Sequence, residues 1–383
     1  MAETLGTNAP GDEVVFSFAD VPVCPADAVP IVAIADYHRR RGVRVSFDCP
    51  DGSAPSHVFA GFISANLSPL AAGAGCPPCQ GVVRPFGRVW RFGAYDEQNE
   101  IVNSMTLQLS KSALLGKGVK ASFIWCLNEV LDNVMTHSAS QGYVMVTVDE
   151  QTLRLKACVF DLGIGLKESF KGSRYSPADD AEAVRLALKA NVTSGIGQGN
   201  GLWGLHELIR RAKNGSVSIA SGAVECLFAP RDAADDVSAF HGWHGFAGTT
   251  LVDFRMSLDG DVSLDGVFGD GFAPVDLWQE AHETDAGAVR LGVLELAGGS
   301  GSRASAAGVR HLAENVIEND GKVVELDFAG VEFCSSAFID ELVGKLLAKY
   351  GFLSFTQNVR LVNVQGLSAS LVNHSMNQRL AES

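Results

Sequence analysis

Between residues 123 and 135 the apolar positions recur at helical spacing. Phe123, Ile124, Leu127, Val130, Leu131, Val134 and Met135 form one stripe, the side of a helix that a core would take. Glu129 and Asn133 lie four residues apart off that stripe, so a helix would set their side chains one turn from each other. The pattern then changes. Leu153 to Phe160 reads as a strand entering a core and ends on Asp161-Leu162-Gly163-Ile164-Gly165. From Thr193 to Leu205 the chain is glycine-rich, with Gly195, Gly197, Gly199, Gly201 and Gly204, and it opens directly into the helical pattern His206 to Arg211. Gly248-Thr249-Thr250 leads into a further strand pattern, Leu251 to Met256.

Both flanks alternate strand and helix, the mark of α/β organisation. At the start, Val14 to Phe18 is a strand, Val21 to Asp27 a turn, Ala28 to Arg39 a helix and Arg44 to Phe47 a strand. At the end, Val323 to Phe328 is a strand. A small-residue turn follows, in which Ser335 or Ser336 would cap the next helix, and Val359 to Val364 is a strand again. Ala229 to Ala247 reads as a mobile insertion, and Asp259 to Gly271 as a connection between domains.

The central segments carry chemistry. A Glu can act as a base, and an Asn oxygen can hold a hard cation such as magnesium. An Asp at a strand end can accept from an exocyclic amine, and glycines two apart let the backbone turn and approach a flat ligand. A glycine-rich loop that becomes a helix offers open amides to phosphate oxygens.

Glu129-x-x-x-Asn133, then Asp161-x-Gly163-x-Gly165, then Gly199-x-Gly201-Leu202-x-Gly204-Leu205 resembles, in that order, the nucleotide-binding boxes of the GHKL ATPases. Among them the compact anti-sigma-factor serine kinases are the most similar. The resemblance spans about residues 95 to 256 and includes Gly248-Thr249 as a final box. It implies ATP and magnesium as cofactors, with Asn133 holding the metal, Glu129 as base and Asp161 on the adenine amino group. Gly163, Gly165, Gly199, Gly201 and Gly204 would shape the pocket and its phosphate lid, together with Thr193, Leu202 and Thr249.

The C-terminal pattern resembles a STAS-type domain, the fold of anti-sigma-factor antagonists. There a Ser after an Asp in the turn receives phosphate; here Cys334 stands in the Asp place and Ser335 in the acceptor place, with Ser336 next. The N-terminal pattern resembles a second, degenerate STAS-like domain, with Pro25 and Ala26 where an acceptor would fall. The expected fold class is therefore α/β: a central Bergerat-type α/β sandwich ATPase domain (90–258) flanked by two small STAS-like α/β domains (1–85 and 285–383). The expected function is an ATP-dependent serine/threonine kinase or ATPase acting on a STAS-type or other regulatory partner, or on its own C-terminal domain. The alternative is a nucleotide-gated switch that phosphorylates no protein.

Composition sharpens this by exclusion. A hydrophobic share of 46% with 19% charged residues over 383 residues is enough for two or three cores. A net charge of −14 disfavours nucleic acid and anionic membranes as partners. No apolar run nears the ~20 residues that span a bilayer, and no basic-then-apolar leader opens the chain. A cytoplasmic protein, with a homodimer allowed, is the expectation. Scattered cysteines fit reduced thiols; Cys76-Pro77-Pro78-Cys79 lacks the second pair a zinc site needs. There is no Gly-x-x-x-x-Gly-Lys-Ser/Thr loop. His38, in a run with Arg39, Arg40 and Arg41, reads as a solvated helix end, and His137 as a supporting residue rather than a phosphoacceptor.

Overall fold

The computed structural model describes residues 10–17, 24–48, 66, 86–111, 115–193, 199–228, 235–240, 246, 248–269, 272, 274, 276–332 and 334–382. The chain is mixed α/β and separates into two compact units, Met1–Met105 with Ser122–Phe272, and Thr106–Ala121 with Ala273–Ser383. Among the described residues no helix is long and apolar enough to cross a membrane.

The first unit opens with β1 (Glu13–Ser17), α1 (Pro25–Arg40) and β2 (Arg44–Asp48), the two strands paired in parallel. Pro25 starts α1 where its missing N–H would have no helical partner anyway. Ala28, Val29, Val32, Ala33, Ile34 and Ala35 are all buried, as expected for a helix apolar on every side. They pack with Tyr143, Met145, Cys158 and Phe160. At the end of α1 the buried Asp36 accepts from the Tyr143 hydroxyl at 2.9 Å and lies 3.2 Å from Arg40 Nε. The basic run is therefore not simply a solvated end. His38 is buried, edge-on to Tyr37 and Phe246, because α1 lies along the sheet through its last turn.

Next come β3 (Trp90–Phe92), α2 (Tyr95–Lys111), α3 (Val119–Asn133), a π-helical turn (Val134–Ser138), β4 (Gly142–Asp149) and β5 (Arg154–Asp161). After them follow α4 (Gly165–Ser169), α5 (Asp180–Ala187), α6 (Gly201–Arg211), β6 (Ser216–Ser221), β7 (Val224–Phe228), β8 (Asp236–Ala239), β9 (Thr250–Ser257) and α7 (Asp265–Phe268). The strands β3 to β9 form a seven-stranded antiparallel sheet in the order β3-β4-β5-β9-β6-β7-β8. Alternation gives it two faces. Phe160 and its partner Leu251 lie beneath α1, whereas Val159 and its partner Val252 look the other way, into a cavity. The stretch expected to be a mobile insertion contributes β8, whose four residues are exposed and pair with β7 from Asp236 to Ala239. β8, Asp236-Val237-Ser238-Ala239, alternates polar and apolar over only four residues, too short a run to mark a strand in the sequence, and even Val237 is exposed.

The second unit holds α8 (Leu277–Ala281), β10 (Val289–Gly292), α9 (Val293–Ala297), α10 (Arg303–Glu318), β11 (Val324–Asp327) and α11 (Ser336–Ile339). A second π-helical turn (Asp340–Gly344), α12 (Lys345–Asn358), β12 (Val359–Val362) and α13 (Gly366–Glu382) complete it. Its sheet is parallel, β10-β11-β12, with Val289, Val324 and Val359 in register. Leu291, Leu326, Val309, Phe338 and Leu342 fill its core. Lys120, from the segment before α3's first-unit part, pairs with Asp320 at 2.6 Å and Asp276 at 3.4 Å.

Candidate functional site

α3 buries Phe123, Ile124, Leu127, Val130 and Leu131. That leaves Trp125, Glu129 and Asn133, spaced four apart, to line a cavity of about 420 Å³, a size suited to a small-molecule ligand. After Asn133 the helix widens into the π turn and stops at Ala139, which has a left-handed φ of 57°. Ser138 closes the turn by donating from Oγ to Val134 O at 2.7 Å, while its own carbonyl accepts from Ile164 N at 3.1 Å. This second bond ties the end of α3 to the loop after β5.

That loop begins with Asp161, whose Oδ1 accepts from Gly163 N at 2.9 Å. A Cβ on Gly163 would lie 2.2 Å from Ser138 O, so no other residue fits without movement. Asp161 is 5% exposed. Burial pushes its carboxyl pKa up to about 7, against the pull of the Gly163 amide. Glu129 is raised as well, first by burial and then by the nearby negative charge of Asp132. Burial lowers His137, which also lines the cavity.

α6 crosses α3 at a distance that glycine sets. A Cβ on Gly201 would lie 2.5 Å from Glu129 Oε2 and 3.6 Å from Asn133 Nδ2; one on Gly204 would meet the Trp125 ring at 2.4 Å and the Phe268 ring at 2.5 Å. The Gly-x-x-Gly spacing thus brings the start of α6 against the polar stripe of α3. Asn200, just before it, accepts from Asn191 N at 3.0 Å through Oδ1.

Glu129, Asn133, Asp161, Gly165, Thr193, Gly199, Gly201 and Leu202 all line this one cavity, although they come from four separate stretches of chain. Gly163 and Gly204 stand directly behind it as spacers. Thr249 is buried behind it too, its carbonyl accepting from Ser221 Oγ at 3.3 Å, while the neighbouring Thr250 reaches the lining. Gly195, Gly197, Cys76 and Cys79 lie outside the described residues. Sequence reasoning missed Trp125, although it lies one turn before Glu129, and also Phe170, Phe268 and Phe272. Phe268 belongs to the stretch read as a connection, Asp259 to Gly271, and Phe272 follows directly after it.

The cavity's charge balance is informative. Among the described residues its lining holds Glu129, Asp132 and Asp161 but no Lys or Arg. A phosphate-bearing ligand would need open amides and a cation to offset its charge. The Asn133 amide fits that need: Nδ2 is buried without a partner, and a turned amide would present its oxygen at the same place. No group of three or more His, Cys, Asp or Glu among the described residues could hold a metal ion by itself, so a magnesium ion here would complete its shell with phosphate oxygens and water.

The expected phosphoacceptors lie elsewhere, at the turn that starts α11. Ser335 is the N-cap: Oγ accepts from Phe338 N at 3.0 Å and donates to Gly301 O at 3.0 Å. Ser336 is exposed. The described cysteines Cys24, Cys126, Cys158, Cys226 and Cys334 are free thiols.

A family model described as a STAS-like domain of unknown function (DUF4325) matches residues 305–368. The second unit therefore carries a STAS-like domain, running from α10 through the Ser335 turn to the start of α13. No curated protein matches the chain.

Proposed function

We propose that the first unit is a GHKL-type ATP site. In this reading the protein is a serine/threonine kinase or ATPase of the anti-sigma-factor kinase type, directed at a STAS-type partner or at its own STAS-like domain. The observation that carries the reading is convergence: the Glu129–Asn133 stripe, the Asp161 loop and the glycine start of α6 meet on one cavity of nucleotide size. Asp161 would accept from the adenine amino group, with Val159 and Val252 against the base. Asn133 would hold magnesium, which supplies positive charge to the phosphates. Glu129 takes the proton of a water or an acceptor hydroxyl as its oxygen bonds to the γ-phosphorus. The bond from that phosphorus to the β–γ bridging oxygen breaks, and ADP leaves with the electron pair. The raised Glu129 pKa makes it a stronger base than an exposed carboxylate. The β1-α1-β2 segment serves as a packing module on the opposite sheet face.

A second reading, a nucleotide-gated switch, is favoured by one observation: the Ser335 hydroxyl already caps α11 and donates to Gly301, with Cys334 in place of an orienting acid. Incubating the full chain with γ-labelled ATP and magnesium separates the readings. Label on protein identifies a kinase, free phosphate an ATPase, and bound ATP without either product a switch. If no ATP is retained by the parent chain, the site assignment falls.

A further inference from the structure

Past β9 the chain folds back on the cavity. α7 brings Phe268 to line it beside Trp125, and Phe272 lines it next to Phe268. The Phe268 ring lies 4.6 Å from Trp125, 4.6 Å from Phe272 and 5.9 Å from Trp203 between centroids. Its approach is so close that Gly204 could not bear a Cβ. Arg211, at the end of α6, donates to the Gly266 carbonyl. α7 is thus fastened to α3 through Trp125 and to α6 through Gly204, Trp203 and Arg211, and Phe272 lies against its Phe268. Of these contacts, Trp125, Arg211 and Gly266 lie outside the acid and glycine segments that build the polar part of the site, whereas Trp203 and Gly204 belong to the glycine-rich start of α6.

The fastening is local and partly exposed to solvent. Phe272 is 38% exposed and Phe268 half-buried. α7 has only four residues, held to Leu264 by two backbone bonds of 2.9 Å. Such short elements open locally without unfolding the sheet behind them. Each ring contact adds modestly to the area buried, so the closed form depends on the aromatic cluster.

We propose that Phe268, on α7, and Phe272 form an aromatic strap that closes the cavity beside Trp125 and sets how fast a ligand and water pass in and out. Phe268 is the positioning residue that locks the strap to Trp125 and Gly204, and Phe272 is the outer wall. The proposal rests on the ATP reading only for the identity of the ligand.

The test has one arm that needs no nucleotide. Acrylamide quenching of Trp125 is taken as the difference between the full chain and its Trp125→Phe variant, in parent, Phe268→Ala and Phe268→Leu backgrounds. Quenching should rise severalfold in Phe268→Ala and return towards the parent in Phe268→Leu; an unchanged value in Phe268→Ala overturns the strap. The second arm follows mant-ATP with magnesium by stopped flow. A gate changes both directions, so Phe268→Ala and Phe272→Ala should raise association and dissociation rates together by about tenfold, the scale of losing one or two ring contacts, with Kd nearly unchanged. Faster dissociation alone would make these residues ligand contacts and overturn the gate, as would unaltered rates in a chain whose Trp125 has become accessible. If the parent takes up no mant-ATP, the ATP reading falls, and the quenching arm still decides whether the strap covers the cavity.

Discussion

Beside two π-helical turns in this molecule, acids are held in opposite ways. In the STAS-like unit the turn Asp340–Gly344 carries acids that are all answered. Asp340 meets Arg379 at 2.8 Å and Arg303 at 3.5 Å, and Glu341 meets Lys345 at 2.7 Å and Arg310 at 3.3 Å. Burial alone would raise the Glu341 pKa, but Lys345 and Arg310 outweigh it and hold it below the usual carboxylate range. In the first unit the turn Val134–Ser138 follows Glu129 and Asn133, and among the described residues no Lys or Arg lines the cavity beside its acids. Glu129 and Asp161 are both raised, and the Asn133 amide has an unpartnered atom. The backbone device is the same; the counter-charge differs. A buried acid matched by guanidinium is part of the architecture, whereas one left unmatched beside a cavity is poised for a ligand or a proton.

The largest expected effects would break or keep this contrast. Glu129→Gln should reduce turnover by ~10²–10⁴ while leaving the melting temperature equal or higher, because a half-buried carboxylate that burial and Asp132 disfavour in its charged form is removed. Glu341→Ala should do the reverse. It leaves Arg310 and Lys345 without their partner and should destabilise the second unit by about 3 kcal/mol in chemical denaturation. Equal loss of stability in the two variants would end the distinction between a poised acid and a structural one.

Asp161 sharpens the contrast through pH. Its pKa stands at about 7 in the fold against 3.8 for the free group. The protonated form is thus favoured by folding, and its contribution to stability is full below about pH 4 and fades as pH rises through about 7. An adenine amino group donating to the carboxylate would favour ionisation, so nucleotide binding near pH 7 should release part of a proton. Calorimetry in buffers of different ionisation heat reads that release directly. Asp161→Asn should abolish it and weaken binding by ~1–3 kcal/mol, the cost of an unmet buried hydrogen bond. Proton release that persists in Asp161→Asn would move the titration to another group.

Much of this was legible beforehand because apolar period reports burial. The stripe from Phe123 to Val134, the β5 strand and the Ser335 cap region follow from spacing alone. Other features left weaker traces. His38 looked solvated from its basic neighbours, yet tertiary packing of α1 on β4 and β5 buries it. β8 is an exposed edge strand whose polar–apolar alternation runs for only four residues, too few to be read. Phe268 sits among glycines and aspartates in a stretch that reads as a connection, with Phe272 just past its end, and only the fold brings them back to Trp125. Gly201 and Gly204 were legible as loop residues, but their role as spacers between α6 and α3 depends on Glu129 and Trp125, some seventy-five residues earlier.

The smallest effect concerns the two adjacent serines of the STAS-like unit, and it asks whether the answered region also contains an unanswered group. Ser335 caps α11 and is bonded on both sides, so Ser335→Ala should cost about 1 kcal/mol of stability. Ser336 is exposed, and Ser336→Ala should fall within about 0.5 kcal/mol of the parent, as surface changes do. The two hydroxyls differ in the same way as acceptors. Phosphate on Ser335 would have to displace the Gly301 bond, whereas on Ser336 it would stand free in the first turn of α11. If the chain phosphorylates itself, mass spectrometry after incubation with ATP and magnesium should therefore find the modification on Ser336, and Ser336→Ala should remove it without loss of stability. Phosphate on Ser335 with Ser336 unmodified would show that the cap opens readily, and would make this turn a poised site like the cavity of the first unit.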